Sequence, residues 1–342
     1  MHLYDAVYTA REKRPSLKAL ILLSERSPTE IPGLVESSEK LSRRFNVHLE
    51  QLEPGFFRLH IDKKIWDKKV EGDALVDSEH AGYWVVYTDE RFYFMKHVVE
   101  SLFDGLYPYA SRIHLDSLEI RKFFRRLGRD PKLTLLITHV ATKGGKYKKR
   151  ALTWLTYGEM SDSDLKKMRS AEMGLEKLGF QAVDESEIPL LESSVTRDGL
   201  VTLEYGTFSG FKDKMVSELI AIAEGWMGFF DNRERQMVEG EIRLRPYAVR
   251  YPNEISDRQI GHLMRSLGSA YCYSIIHYGN PYFVGTFCDY KEGSSLGLTI
   301  LGNEVTITPM SRATPSGLWE FTGRVQKAIG DGEVMDIGIP PT

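Results

Sequence analysis

The chain has 342 residues, of which 42% are hydrophobic, 11% aromatic and 27% charged, and its formal net charge is −3. This composition is that of an ordinary folded protein; it excludes intrinsic disorder and a uniformly basic surface as the basis of function. The longest apolar runs, 17–23 and 133–140, are far shorter than the ~20 residues that a membrane-spanning helix needs, so we expect no membrane partner.

Length and cysteine content predict the organisation and the compartment. Because one domain typically has about 100–200 residues, we expect two domains, 1–160 and 161–342. The N-terminus lacks the basic-then-apolar order of a secretory signal. Cys272 and Cys288 are therefore expected as reduced thiols in a cytoplasmic protein.

The N-terminal third predicts alternating strands and helices. Residues 16–23 suit a strand or a short helix, and 37–45 a short helix. The two-residue alternation over 56–61 predicts a half-buried strand. The charged stretch 62–80 is predicted as an exposed connection, and the aromatic run 83–87 as a strand covered on both faces.

The next elements complete an α/β layered order. A helix is predicted over 91–104, a short strand over 110–115 and a further strand over 133–139. Between them, residues 116–127 carry the clearest helical pattern, with Asp116 in a capping position and Gly128 as the stop. The apolar stripe of this helix is Ile120, Phe123, Phe124 and Leu127.

The second half predicts an α+β domain. Its helices are expected over 161–179, 211–230, from Ser256 to Gly268, and from Leu318 to Ile329, with 211–230 as the central packing helix. Strands are expected over 180–183, 200–205, 271–277, 282–287, 296–301 and 305–307. Gly302-Asn303 suits a two-residue hairpin turn. The predicted fold class is thus mixed: an N-terminal α/β unit, then an α+β half with an antiparallel sheet.

The sequence motifs of known active sites indicate no cofactor, no metal site and no assigned catalytic residue. The nine histidines lack the spacings that place two metal ligands on one face, and there is no C-x-x-C. Neither phosphate-loop fingerprint is present, and there is no G-x-S-x-G nucleophile turn. Whether the protein is an enzyme stays open at this point.

Charge is concentrated in one stretch. Residues 112–150 hold twelve Lys and Arg against three acidic residues, a local balance of +9, which leaves −12 for the rest of the chain. Such an asymmetry is typical of a protein that presents one face to a polyanion. On the helix 116–127, cations lie at i, i+4 spacing opposite the apolar stripe.

A predicted hairpin adds a second group of cations. The segment ATKGGKYKKRA at 141–151 is flanked by two strand patterns, with Gly144-Gly145 near its tip. Its tyrosine suits stacking on an unpaired base, and the cations suit phosphate contacts, which carry no sequence specificity. The predicted nucleic-acid-binding residues are Arg121, Lys122, Arg125, Arg126, Arg129, Lys143, Lys146, Tyr147, Lys148, Lys149 and Arg150.

Three functions compete. The favoured one is non-catalytic binding of DNA or RNA through phosphate contacts, by the free protein or by a subunit of a larger complex. The second is a scaffold that binds a protein partner or self-associates, through the same basic face or through the C-terminal sheet. The third is a metal-dependent nuclease assembled from carboxylates such as Asp198, Glu204 and Asp289.

Overall fold

The structure, a computed structural model, describes residues 7–8, 16–65, 68–129, 133–144, 151–153, 173–231, 233, 236–238, 241–279 and 282–337. The protein is mixed in class, with 33% of residues in helices and 43% in strands. The predicted mixed α and β class is therefore confirmed. Most of the predicted hairpin tip and most of the predicted helix 161–179 lie outside the described residues.

Within the described residues, the larger sheet has twelve strands. They are β1 Val7–Tyr8, β2 Leu17–Leu23, β3 Phe45–Glu53, β4 Phe56–Ile65, β5 Lys68–Asp77, β6 Tyr83–Thr88, β7 Ser111–Arg112, β8 Thr134–Gly144, β9 Ala151–Thr153, β10 Met173–Val183, β11 Pro189–Thr196 and β12 Leu200–Thr207. Their order is β3-β4-β5-β6-β2-β12-β11-β10-β8-β9, with β1 beside β12 and β7 beside β2. Every pairing with a defined register is antiparallel.

The second main sheet, as far as the chain is described, has six strands in the order β16-β17-β18-β19-β15-β20. They are β15 Tyr247–Arg250, β16 Tyr271–Gly279, β17 Tyr282–Asp289, β18 Ser295–Leu301, β19 Glu304–Pro309 and β20 Glu333–Asp336. A separate pair is formed by β13 Gln236–Val238 and β14 Glu241–Arg243. The predicted turn at Gly302-Asn303 joins β18 to β19, and Gly302 has a φ of 59° that favours glycine.

The helices of the described residues begin with a short turn, Pro28–Glu30, which leads into α1 Ile31–Ser37 and α2 Glu39–Ser42. The remaining helices are α3 (Phe92–Phe94, Met95–Val99 and Glu100–Leu106 in succession), α4 Ser117–Leu127, α5 (Phe208–Gly210, Phe211–Val216 and Ser217–Asp231 in succession), α6 Asp257–Leu267 and α7 Pro315–Ile329. The predicted long packing helix is therefore present as α5.

Burial explains why β6 was recognisable as a strand covered on both faces, and β2, predicted as a strand or a short helix, is a strand of the same kind. All seven residues of β2 and all six of β6 are buried. Both strands lie inside the sheet, and apolar side chains cover both of their faces. On one side, Trp84 of β6 packs edge-on against Phe103 of α3 at 6.3 Å, and on the other Tyr87 packs against Phe208 of α5 at 5.2 Å.

The prediction of an exposed connection over 62–80 is wrong, because most of this stretch forms β5. Its inward positions, Ala74 and Val76, are buried, whereas Glu71 and Asp73 alternate with them on the exposed face. The charged residues dominate the composition and hide the two-residue period that a half-buried strand requires.

Two predicted helices also differ from the structure. The predicted helix 37–45 ends early: α2 stops at Ser42, and Phe45 opens β3. In the predicted helix 161–179, the described part from Met173 belongs to β10, where Leu178 faces Val195 of β11. Short apolar runs fit either the helical or the strand periodicity, and pairing with neighbouring strands decides which structure forms.

The chain divides into two compact units. The first comprises 1–140, 153–159 and 177–222, and the second 141–152, 160–176 and 223–342. The prediction of two domains that meet near residue 160 stays a prediction; the units interleave along the chain because β12 pairs with the N-terminal strand β2. None of the helices in the described residues is long and apolar enough to cross a membrane.

The second unit has its own aromatic core beneath its sheet. Phe230 of α5 packs against Tyr247 of β15 at 5.5 Å, and Trp226 stacks with Trp319 of α7 at 6.4 Å. The hydroxyl of Tyr247 hydrogen-bonds Thr322 at 2.7 Å. Burial raises the pKa of Tyr247, as expected for a phenol enclosed in a core.

Candidate nucleic-acid interface

Helix α4 forms as its sequence predicts. Asp116 precedes it, and its Oδ1 accepts a hydrogen bond from the Glu119 N–H at 2.8 Å. This bond satisfies one of the N–H groups that a helix start leaves without a partner. Gly128 ends the helix and donates its N–H to the Phe124 carbonyl at 3.1 Å.

The apolar stripe of α4 anchors the helix on the larger sheet. Ile120 and Phe123 are fully buried and Leu127 nearly so. Phe123 and Phe124 both pack edge-on against Phe180 of β10, at 6.2 and 5.6 Å between ring centroids. One face of α4 is thus fixed in the core, which leaves its other side for the basic residues.

The predicted basic residues of α4, and Arg129 in the turn after it, lie on the side of the helix away from the apolar stripe. Lys122, Arg125 and Arg129 are exposed, whereas Arg121 and Arg126 are half-buried. We call these five residues the basic face. Arg121 and Arg125 lie at i, i+4, about 6 Å apart along the helix axis, and Arg129 lies in the turn that follows the helix.

Acidic neighbours already engage part of the basic face. Lys122 Nζ lies 2.8 Å from Oε1 of the buried Glu119, one turn earlier on the same helix. Arg126 Nη1 lies 3.6 Å from Glu218 Oε2 of α5. Both cations keep substantial exposure, 61% for Lys122 and 38% for Arg126. The pairs hold the side chains in place without burying their charge.

Arg112, which contributes to the local balance of +9, has a structural role instead. Its side chain is only 11% exposed, and it lies 2.7 Å from both Glu100 Oε2 and Asp104 Oδ1. Burial lowers the pKa of Arg112, but the carboxylates of Asp104 and Glu100 outweigh it and raise the pKa overall. This arginine ties β7 to α3 and does not belong to the basic face.

The predicted basic hairpin is described only at its base. β8 and β9 are neighbours in the sheet, as the prediction of a hairpin requires. Lys143 lies near the end of β8. Lys146, Tyr147, Lys148, Lys149 and Arg150 lie outside the described residues, so their part in a nucleic-acid interface stays a prediction.

Two of the three carboxylates considered for a nuclease have local roles. Asp289 Oδ1 accepts the N–H groups of Lys291 and Glu292, at 2.7 and 2.8 Å, which closes a turn at the end of β17. Asp198 Oδ1 lies 3.8 Å from His114 Nδ1. The third carboxylate, Glu204 of β12, lies among several titratable groups of neighbouring strands.

That group spans four strands of the larger sheet: His139 of β8, Lys177 of β10, Glu192 of β11 and Glu204 of β12. Burial, reinforced by the charge of Lys177, lowers the pKa of His139, while Glu204 acts in the opposite sense. Burial and the charge of Glu204 raise the pKa of Glu192. The His139 ring fills the space where a Cβ of Gly179 would lie. We call these four titratable residues the sheet cluster.

One trio among the described residues brings metal-ligand atoms together: His60, Asp62 and Glu71, all within 4.8 Å of one another. Lys69 already pairs with both of its carboxylates, since its Nζ lies 3.0 Å from Asp62 Oδ1 and 2.6 Å from Glu71 Oε2. The sequence did not indicate this trio, because Glu71 faces Asp62 only once β5 is recognised as a strand. The residues form an ion-pair cluster on an exposed sheet face.

Comparisons with known proteins add no relative. No protein-family model matches the sequence. No curated protein matches it either.

Proposed function

We propose that this protein binds a nucleic-acid backbone through the basic face of α4. The observation that carries the proposal is the pair Arg121 and Arg125, one turn apart on a helix whose opposite stripe is buried, with the exposed Arg129 in the turn that follows. Guanidinium groups bind phosphate with two parallel hydrogen bonds. A spacing of about 6 Å between two guanidinium-bearing residues suits the repeated phosphates of a nucleic-acid strand.

Rigid anchoring favours such contacts. Phe123 and Phe124 hold the helix against Phe180, so the arginines extend from a backbone that does not have to be ordered on binding. Lys143 and the predicted cations at 146–150 would add phosphate contacts of their own. Contacts of this kind give affinity for DNA and RNA alike without sequence specificity. We place this binding in the cytoplasm, in agreement with two free thiols.

The test is a binding titration with matched variants. Fluorescence anisotropy with labelled duplex DNA, single-stranded DNA and RNA compares the wild type with Arg125→Ala/Arg129→Ala. The control is Arg258→Ala/Arg265→Ala, which also removes two exposed arginines from one helix, α6. We expect the α4 variant to bind at least tenfold more weakly and the control to bind like the wild type. Equal loss in both would contradict the proposal, since it would reflect net charge alone.

A hydrolytic function is the second candidate, and the sheet cluster is the observation that favours it. A carboxyl with a raised pKa and an imidazole with a lowered pKa are the components of general acid–base chemistry near neutral pH. The test is cleavage of a labelled oligonucleotide. A nuclease is supported if cleavage is lost in both Glu204→Gln and Glu192→Gln and retained in Asp289→Asn. Cleavage that survives in Glu204→Gln would exclude this cluster.

A further inference from the structure

Strand β16 combines three properties that a sheet edge in a stable monomer does not usually combine. It is nine residues long, it is at the edge of the six-stranded sheet, and eight of its nine residues are exposed or half-exposed. Within the described part of the chain it pairs with β17 alone. Its outer side therefore presents a row of backbone N–H and C=O groups suited to a further strand.

The side chains on this edge are large and apolar. Tyr273 is 46% exposed, Ile275 44%, Ile276 71% and Tyr278 52%. Ile276 is the extra residue at a bulge, between the pairs Ile275–Gly285 and His277–Val284. Bulges often protect an edge, but here the bulged residue is the most exposed isoleucine of the strand.

Two other edge strands, β3 and β20, carry charges that block pairing. β3, at the edge of the larger sheet, includes Glu50 and Glu53, and β20, opposite β16 in its sheet, begins and ends with Glu333 and Asp336. β16 reads YCYSIIHYG and contains no Lys, Arg, Asp, Glu or Pro. Charge and proline are the usual means by which proteins prevent edge-to-edge association.

We propose that β16 is the interface for a second copy of this chain, paired antiparallel about a two-fold axis. In such a pair, both paired edges are β16. The apolar side chains of one copy therefore face apolar side chains of the other, and no like charges face each other. A foreign strand would need its own apolar residues to match, and the uncharged edge offers no charge complementarity to select it.

The exposed area is sufficient for a reversible dimer. If a large side chain exposes on the order of 200 Å² when free, these four contribute roughly 400 Å² in each copy. Full burial in both copies would give at most about 800 Å² from these side chains, and the nine-residue backbone edges bring the total to no more than the ~1,200 Å² at which specific interfaces begin. We therefore expect a dimer that dissociates in the micromolar range. Its two β16 strands would join the six-stranded sheets of the two copies across the two-fold axis.

Sedimentation velocity of the full chain, from about 1 to 200 µM, tests this, because a small interface is expected to form a weak, reversible dimer. The variant is Ile276→Lys, which places two ammonium groups near the axis. The control is Leu301→Lys, which also replaces an exposed apolar residue (58% exposed) but on the interior strand β18. We expect wild type and control to pass from monomer to dimer, and Ile276→Lys to stay monomeric with an unchanged circular dichroism spectrum.

Hydrogen exchange of the wild type at both ends of the concentration range provides a second measure. The amides of β16 should exchange at least tenfold more slowly at the higher concentration, and those of β20 should not change. A wild type that is monomeric throughout would overturn self-pairing and leave a strand of another protein as the occupant. Dimers that persist in Ile276→Lys, or protection elsewhere than β16, would equally overturn it.

Discussion

Arg126 Nη1 lies 3.6 Å from Glu218 Oε2, so one member of the basic face is shared with helix α5. Both side chains are more than a third exposed, at 38% and 37%, and an exposed pair of this kind contributes at most about 1 kcal/mol to stability. The main effect of the pair is therefore to restrain the Arg126 side chain, because its contribution to the stability of the fold is small.

The first prediction concerns Glu218→Gln. The substitution removes the carboxylate that competes with phosphate for Arg126, so we expect affinity for nucleic acid to rise by up to about fivefold, or ~1 kcal/mol. The free energy of unfolding should change by less than about 0.5 kcal/mol. Anisotropy titrations and urea denaturation measure the two effects. Asp213→Asn, on the same helix, is the control. Unchanged affinity in Glu218→Gln would show that Arg126 does not contact the nucleic acid.

The second prediction concerns the anchor of α4. Phe123 is fully buried against Phe180, so Phe123→Ala should lower the free energy of unfolding by about 3–5 kcal/mol. Phe124 is half-buried, and Phe124→Ala should cost clearly less. Urea denaturation followed by tryptophan fluorescence gives both values. Equal costs at the two positions would mean that the stripe does not face the core as described.

The third prediction concerns a buried ion pair in the first unit. Lys212 Nζ lies 2.9 Å from Oδ2 of the buried Asp77 and 2.6 Å from Glu79 Oε2, and it lies over the Phe56 ring at 4.5 Å. Lys212→Met leaves the Asp77 charge buried without its cation, so we expect a loss of about 3–5 kcal/mol. The double variant Lys212→Met/Asp77→Asn should recover a large part of it. A double variant no more stable than the single one would exclude an unpaired charge as the cause.

Much of the fold follows from the sequence because local patterns and tertiary packing agree. The Asp116 cap and the stripe of α4, the Ser256 cap of α6 and the Gly302 turn all depend on residues close together in the chain. Strand β5 was missed because its charged outer face conceals its buried residues. The antiparallel arrangement of the larger sheet depends on pairings between distant residues, which the local periodicity does not specify.

The cations of α4 were predictable for the same reason, since helical spacing alone places Arg121 and Arg125 one turn apart on one side of the helix. The structural role of Arg112 was not, because Glu100 lies twelve residues away on another element. Nor did the sequence indicate the sheet cluster, whose members come from four strands. Its composition becomes evident only when the strand order is known.

The fourth prediction is a pH dependence from His139. Folding lowers the pKa of this imidazole below its ordinary value of 6.5, chiefly by burial and then by the charge of Lys177. The unfolded chain therefore binds more protons just below pH 6.5, and stability falls as the pH falls through this range toward the folded pKa. His139→Gln should remove this part of the dependence. Urea midpoints between pH 5 and 8 measure it.

His60 supplies an internal comparison of opposite sign. The hydrogen bond with Asp73 raises the pKa of His60, so its contribution is present below pH 6.5 and is lost as the pH rises through the folded pKa. His60→Gln should therefore steepen the fall of stability toward acid, whereas His139→Gln should flatten it. Identical pH profiles for the two variants would contradict both assignments.

The most direct measurement of the central claim is the salt dependence of binding. Each phosphate contact contributes about 0.9 to the slope of log affinity against log salt concentration for duplex DNA, through release of counterions. Arg125→Ala/Arg129→Ala should therefore reduce the slope by about 1.8 relative to the wild type, by the same relation, and the α6 control should leave it unchanged. A wild type that binds without salt dependence, or an α4 variant with the wild-type slope, would contradict phosphate binding by the basic face.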